Sequence, residues 1–286
     1  MSKALSDGFV KAVAKAGASV VRVEGRHRRP TSGVVWSSDR VVTSAHGIDG
    51  DTVRVGAAAG VQEAKVLAID EGLDLALLEV AGLVPATRAT GGVATGALVL
   101  TLGRPGERVR ASLGVIGDAS GPWRTPRGAK VDAWIDVDGS LPRGFSGGAL
   151  VDLDGDVVGV NTHGVVRGGT TIPAATVDAF VARAAAGRAG RGWLGIAVWP
   201  VRFAGATADA AGQAGGLVLL SVETGGPAER AGLLVGDVLL GLDGEVVTQP
   251  QELVAWLADG RAGEPATARI VRAGAVHEIA VTVGKR

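Results

Sequence analysis

Gly144-Phe145-Ser146-Gly147-Gly148, running on through Ala149-Leu150-Val151 to Asp154-Gly155 and Val157-Val158-Gly159-Val160, admits two folds. A serine between glycines can sit on a sharp turn from a strand into a helix, or in a tight turn between two strands. The residues after it decide. Short β-branched runs on either side of Asp154-Gly155 have the pattern of a hairpin rather than a helix. The same texture extends outward: Val20-Val21-Arg22-Val23, Gly33-Val34-Val35-Trp36, Val53-Arg54-Val55, Leu98-Val99-Leu100 and Val131-Asp132-Ala133-Trp134-Ile135 are short runs set between turn residues. Regular short strands with few helical stretches argue for an all-β architecture. The roughly 150 residues from Ser19 to Thr171 suit two small barrels, with a cleft between them where distant residues can meet.

Two further stretches precede the serine: Val41-Val42-Thr43-Ser44-Ala45-His46 and Leu73-Asp74-Leu75-Ala76-Leu77-Leu78. A serine hydroxyl is a poor nucleophile at neutral pH, so acyl transfer needs an imidazole to take its proton and a buried acid to fix that imidazole's tautomer. His46 follows an apolar pair through small residues that let its ring turn into a cleft. Asp74 stands in an apolar run where a desolvated carboxylate needs a partner such as a ring N–H. The glycines beside Ser146 permit a tight backbone that aims neighbouring amides at one point. In that arrangement the N–H groups of Gly144 and Ser146 would hold a tetrahedral oxyanion, at about 3 to 4 kcal/mol per donor. Taken singly, each feature also has a structural reading: a core-edge histidine, an aspartate opening a strand, a Gly-rich turn. Asp70 and Asp49 are competing acids, neither followed by so apolar a strand. In the strand-to-helix elbow, acid and base follow the serine. Here they precede it, and His277 lies far down a second module.

Composition narrows the field. With 29 basic against 29 acidic residues there is no net field to attract nucleic acid or an anionic membrane. Zero cysteines exclude disulfides and thiolate metal sites, and His27, His46, His163 and His277 show no ligand spacing, so no metal and no cofactor is expected. The start is too interrupted by Lys11 and Lys15 for a signal-peptide core or a membrane span. Phe9, Val10, Val13 and Ala14 instead fall at helical spacing, with Ser6 or Asp7 as a cap. By its residues alone the chain reads as cytoplasmic. The expected division is an N-terminal helix at 1–18, a catalytic domain at 19–180, a small basic linker at 181–190 and a further domain at 191–286.

With these motifs in place the chain resembles the HtrA (high-temperature-requirement) family, in which a chymotrypsin-like protease precedes a PDZ domain. The likeness rests on the three stretches above together with Val158-Gly159-Val160-Asn161-Thr162, Ile172-Pro173 and residues 191–196. It implies a mainly β fold, a chymotrypsin-like double β-barrel followed by a C-terminal PDZ domain. It also implies His46 as base, Asp74 as orienting acid, Ser146 as nucleophile and the amides of Gly144 and Ser146 as the oxyanion hole. Phe145 departs from the family's usual asparagine, and its bulk must find a pocket. Asn161-Thr162-His163 should pair with substrate backbone, with Thr170 and Thr171 lining a pocket for small to medium apolar side chains. His163 either narrows that pocket or, as expected here, faces solvent.

The C-terminal module carries Gly225-Gly226-Pro227-Ala228-Glu229-Arg230-Ala231-Gly232-Leu233 and Val235-Gly236-Asp237-Val238-Leu239-Leu240-Gly241-Leu242-Asp243-Gly244, then a helical pattern from Pro250 to Leu257. Pro227 should open a short helix, Gly232 end it, and Asp243-Gly244 turn a hairpin. By resemblance, Leu194, Gly195 and Ile196 would grip the C-terminus of a bound peptide. The whole then implies an endopeptidase for unfolded or damaged proteins, assembled as a homotrimer, which the family's habit places in the cell envelope. The alternative is a latent protease domain serving as a peptide-binding scaffold.

Overall fold

A computed structural model describes residues 3–25, 30–58, 60–190, 192–258 and 261–285. Met1 and Ser2 of the expected N-terminal segment, His27, and Arg191 and Arg286 at the ends of the expected last domain lie outside the described residues. The chain divides into two compact units, Met1–Ala189 and Gly190–Arg286.

The first unit opens with helix α1 (Lys3–Gly17). Ser6 and Asp7 therefore lie inside the helix and do not cap it, because Lys3, Ala4 and Leu5 are good helix formers that carry it back past them. Phe9, Ala12, Val13 and Ala16 form one stripe that packs on the unit's core. Next come β1 (Val20–Glu24), β2 (Thr31–Ser37), β3 (Arg40–Ser44), β4 (Thr52–Ala57), β5 (Gly60–Asp70) and β6 (Leu75–Glu79). They close an antiparallel barrel in the order β1-β2-β3-β6-β5-β4. Val21, Val23, Val53, Val55, Ala76 and Leu78 fill it from alternate positions.

The second half of this unit contains β7 (Leu98–Gly103), β8 (Arg110–Ser120), a two-stranded ribbon of β9 (Trp123–Arg124) and β10 (Lys130–Val131), then β11 (Trp134–Val137), β12 (Ala149–Val151), β13 (Val157–Thr162) and β14 (Thr170–Pro173). Six of them form the sheet β11-β8-β7-β12-β13-β14. The Thr170 hydroxyl on its last strand donates to the Ile135 carbonyl on its first at 3.0 Å, drawing the ends together into a barrel-like curl. The serine-bearing stretch is thus a hairpin, β12 against β13, turning where Gly155 takes φ +77. The run 131–135, expected as one strand, breaks at Asp132-Ala133. Asp132 is held instead by Thr176, in the first turn of α2 (Ala174–Ala185), whose hydroxyl bonds both its carboxylate at 2.8 Å and its N–H at 3.0 Å.

The second unit holds β15 (Gly192–Trp193), β16 (Ile196–Arg202), α3 (Ala206–Ala211), β17 (Gly215–Val222), α4 (Pro227–Arg230), β18 (Val238–Leu242), β19 (Glu245–Val246), α5 (Pro250–Ala258), β20 (Pro265–Arg272), β21 (Ala275–Thr282) and β22 (Gly284–Lys285). The main sheet runs β16-β17-β18-β20-β21 over a core that includes Leu217, Leu239, Trp256 and Ile270. Pro227 occupies the first turn of α4, and Asp243 and Gly244, with φ +48 and +80, make the two-residue turn between β18 and β19.

Candidate active site

Strand pairing brings the base and the acid together. In the β3–β6 ladder Ser44 faces Leu75. Because the strands are antiparallel, the residue just before Leu75 and those just after Ser44 emerge at the same end of the barrel. A single 3₁₀ turn, Ala45–Gly47, completes the approach. The Asp74 carboxylate accepts the His46 backbone N–H at 2.9 Å, meets His46 Nδ1 at 2.7 Å and takes the Thr162 hydroxyl. Its side chain is buried while the His46 ring is 43% exposed. Asp74 adopts φ +55, a left-handed conformation that aspartate tolerates better than most residues. The competing acids are otherwise engaged or solvated. Asp70 bonds Arg183 at 3.2 Å and the Leu73 N–H at 3.0 Å, and burial pushes its carboxyl above the ordinary range against the pull of both partners. Asp49 is exposed.

The serine loop is tied down group by group. Ser32 on β2 donates its hydroxyl to the Gly144 carbonyl at 2.7 Å and its N–H to the Ser146 carbonyl at 3.0 Å, which the Thr31 hydroxyl also reaches. The Phe145 N–H donates to Pro142, that of Gly147 to Asn161 and that of Gly148 to Phe145. This leaves the N–H groups of Gly144 and Ser146 without a partner among the described residues. Gly147, at φ +80, has no room for a side chain, since a Cβ there would overlap the Ser32 carbonyl. The Phe145 ring is buried in space that Gly103 leaves free: a Cβ on Gly103 would stand 2.5 Å from it. Nothing in Thr31-Ser32-Gly33 marked Ser32 as a support for this loop, because its partners are backbone carbonyls more than a hundred residues away.

The remaining expected site residues divide. Thr162 serves Asp74. Asn161, Thr170 and Thr171 line a cavity of about 130 Å³ together with Leu141 and Asp138. The Asn161 side-chain oxygen accepts from Thr171 at 2.8 Å, and its buried amide nitrogen has no partner among the described residues. His163 is exposed, as expected, but it also touches the nucleophile: its Nδ1 lies 3.0 Å from Ser146 Oγ and its backbone N–H 3.3 Å from the same atom. No hydrogen bond joins Ser146 to His46 among the described residues.

Gly164 offers a local check on the Asp74 position. A Cβ there would overlap Asp74 Oδ2 and Cγ, so Gly164→Ala is expected to displace the carboxylate and lower kcat/KM by about 10²-fold, the scale of a 1 Å misplacement. Steady-state kinetics beside a thermal melt would check it. A melt lowered as steeply as the rate would count against the local explanation.

In the second unit Leu194, Gly195 and Ile196 border a groove of about 240 Å³ between β16 and α5, with Val198, Leu253 and Leu257 as its apolar lining. β16 is an edge strand of its sheet. Gly195 takes φ +74, and the Leu194 carbonyl is held by the Ala228 N–H at 2.9 Å.

Fold and site together define a chymotrypsin-like serine protease domain joined to a PDZ domain. Residues 31–160 match the trypsin-like peptidase domain, and residues 218–272 the PDZ domain. The chain is 31% identical over 283 residues to a probable periplasmic serine endoprotease, DegP-like, of Brucella suis, covering 90% of this chain and 53% of that protein. It thus spans about half the length of the curated relatives it matches. Among solved structures, the serine endoprotease from Yersinia pestis superposes with a TM-score of 0.69 at 26% identity, covering 97% of this chain and 98% of the other. The HtrA-type protease AlgW with a decapeptide gives 0.67 at 26%, with the same coverage. The chain is thus similar over nearly its whole length to HtrA-type proteases of known structure, with the same two kinds of domain.

Proposed function

We propose that the chain is a serine endopeptidase acting on unfolded or damaged proteins. His46 takes the hydroxyl proton of Ser146 as its Oγ adds to the scissile carbonyl, and Asp74 holds the ring's tautomer. The N–H groups of Gly144 and Ser146 receive the oxyanion. Collapse of the adduct passes the proton from His46 to the leaving amine, and water then repeats the sequence to release the acyl group. The observation that supports this best is that, while the N–H groups of Phe145, Gly147 and Gly148 donate to Pro142, Asn161 and Phe145, those of Gly144 and of the nucleophile Ser146 itself are left over among the described residues.

The groove at Leu194, Gly195 and Ile196 would take an exposed apolar C-terminus by adding it to the edge of β16. Tethering there raises the effective concentration of a chain at the cleft. By its relatives' names the enzyme works in the periplasm, and by resemblance it assembles as a homotrimer, which light scattering would test. Among the described residues no helix is long and apolar enough to cross a membrane.

The test is a fluorophosphonate with intact-mass readout, alongside digestion of unfolded casein. One adduct, lost in Ser146→Ala, and casein cleavage are expected. A wild-type protein that takes up no label, even with unfolded substrate present, ends the proposal.

A further inference from the structure

We propose that His163 is a second, competing acceptor for the Ser146 hydroxyl, which it holds away from His46 until a peptide strand lies along residues 162–164. This rests on the peptidase reading. Both hydrogen-bond partners of Ser146 Oγ among the described residues belong to His163, the ring Nδ1 at 3.0 Å and the backbone N–H at 3.3 Å. A hydroxyl has one proton to donate. While Nδ1 of His163 receives it, His46 does not.

His163 can hold that proton but is poorly built to use it. An imidazole becomes an effective base here when a carboxylate fixes its tautomer and stabilises the imidazolium. The Asp74 carboxylate is already taken by the His46 ring, the His46 N–H and the Thr162 hydroxyl, and no carboxylate bonds His163 among the described residues. Ser146 therefore rests beside an unsupported imidazole while the supported one stands ready.

The placement of His163 also says what frees the serine. β13 pairs with β14 only as far as Thr162 opposite Thr170. Beyond that point the chain leaves the ladder, its N–H groups turning to side chains, that of His163 to Ser146 Oγ and that of Gly164 to the Thr162 hydroxyl, and His163 is its first exposed residue. An extended peptide adding its backbone to this edge meets His163 first and displaces its contact with Ser146. The nucleophile then turns to His46 only when a substrate strand is seated.

Labelling rates test this. Against a small fluorophosphonate, which makes no strand contact, His163→Ala is expected to react about tenfold faster than wild type, the scale of one restraining hydrogen bond. His163→Asn, whose Oδ1 falls near the place of Nδ1, should keep the slow rate. On a long unfolded substrate, which displaces the ring itself, the tenfold advantage of His163→Ala over wild type should be lost. A labelled wild type with a His163→Ala rate equal or lower overturns this inference and leaves the peptidase reading standing. So does label retained in His46→Ala but lost in His163→Ala, which would make His163 the base. Wild type and His163→Ala both unlabelled would overturn the two together.

Discussion

Asp74→Asn is expected to lower kcat/KM on a peptide substrate by about 10⁴-fold with the fold intact, the magnitude of this exchange in a triad. The two side chains share one shape, and asparagine accepts the left-handed region as readily as aspartate, so the backbone at φ +55 has no reason to move. The Asn oxygen can still accept the His46 N–H that lies 2.9 Å from Oδ1. What changes is the atom 2.7 Å from His46 Nδ1, where an amide N–H₂ replaces an acceptor. Two donors cannot face each other, so the ring must put its proton on Nε2 and accept at Nδ1. That tautomer has no lone pair on Nε2 with which to take the Ser146 proton. The Thr162 hydroxyl, which also gave its proton to this carboxylate, loses the same acceptor. Kinetics on a fluorogenic peptide, with circular dichroism and a melt as controls, would check it. A loss below tenfold in a folded variant would mean that Asp74 does not set the working tautomer.

The meeting of His46 with Asp74 was legible because it follows from the ladder: two apolar strands, one followed closely by a histidine and one preceded by an aspartate, need only pair antiparallel. The hairpin after Ser146 was equally readable, since Asp154-Gly155 names its own turn. Four features were not readable. Ser32 supports the serine loop through backbone carbonyls, which every residue possesses and no motif advertises. The bond from Thr162 to Asp74 depends on which face of β13 meets the first barrel, a fact of barrel packing rather than of local pattern. His163 reads as a solvent-facing residue on exposure alone, and only its rotamer reveals the contact with Ser146. The break at Asp132-Ala133 has the same origin, a partner in Thr176 that lies 44 positions away.

Asp237→Ala is expected to destabilise the second unit by about 2–4 kcal/mol, which for a domain near a hundred residues lowers its melting transition by roughly 10–20 °C. Asp237 is 2% exposed and grips Arg272 as a fork: Oδ1 to Nε and Oδ2 to Nη2, each at 2.7 Å. It also accepts the Leu234 N–H at 2.8 Å, closing the turn that leads into β18. The full cost of breaking a buried pair is about 3–5 kcal/mol, but the Arg272 side chain is 35% exposed and water can solvate it once freed, which argues for the lower part of that range. The pH dependence gives the pair a signature. Burial alone pushes the Asp237 carboxyl up, but the Arg272 fork and the Leu234 N–H outweigh it and hold it below the ordinary aspartate range. A carboxyl depressed in the folded state contributes stability that is present above its unfolded value and is lost as pH falls through its folded one. The gap between wild type and Asp237→Ala should therefore be widest near neutrality and narrow in strong acid. Calorimetry on the full chain, following the transition of this unit across that range, would show it. A gap that stays constant with pH would assign the loss to packing around the turn and not to the ion pair.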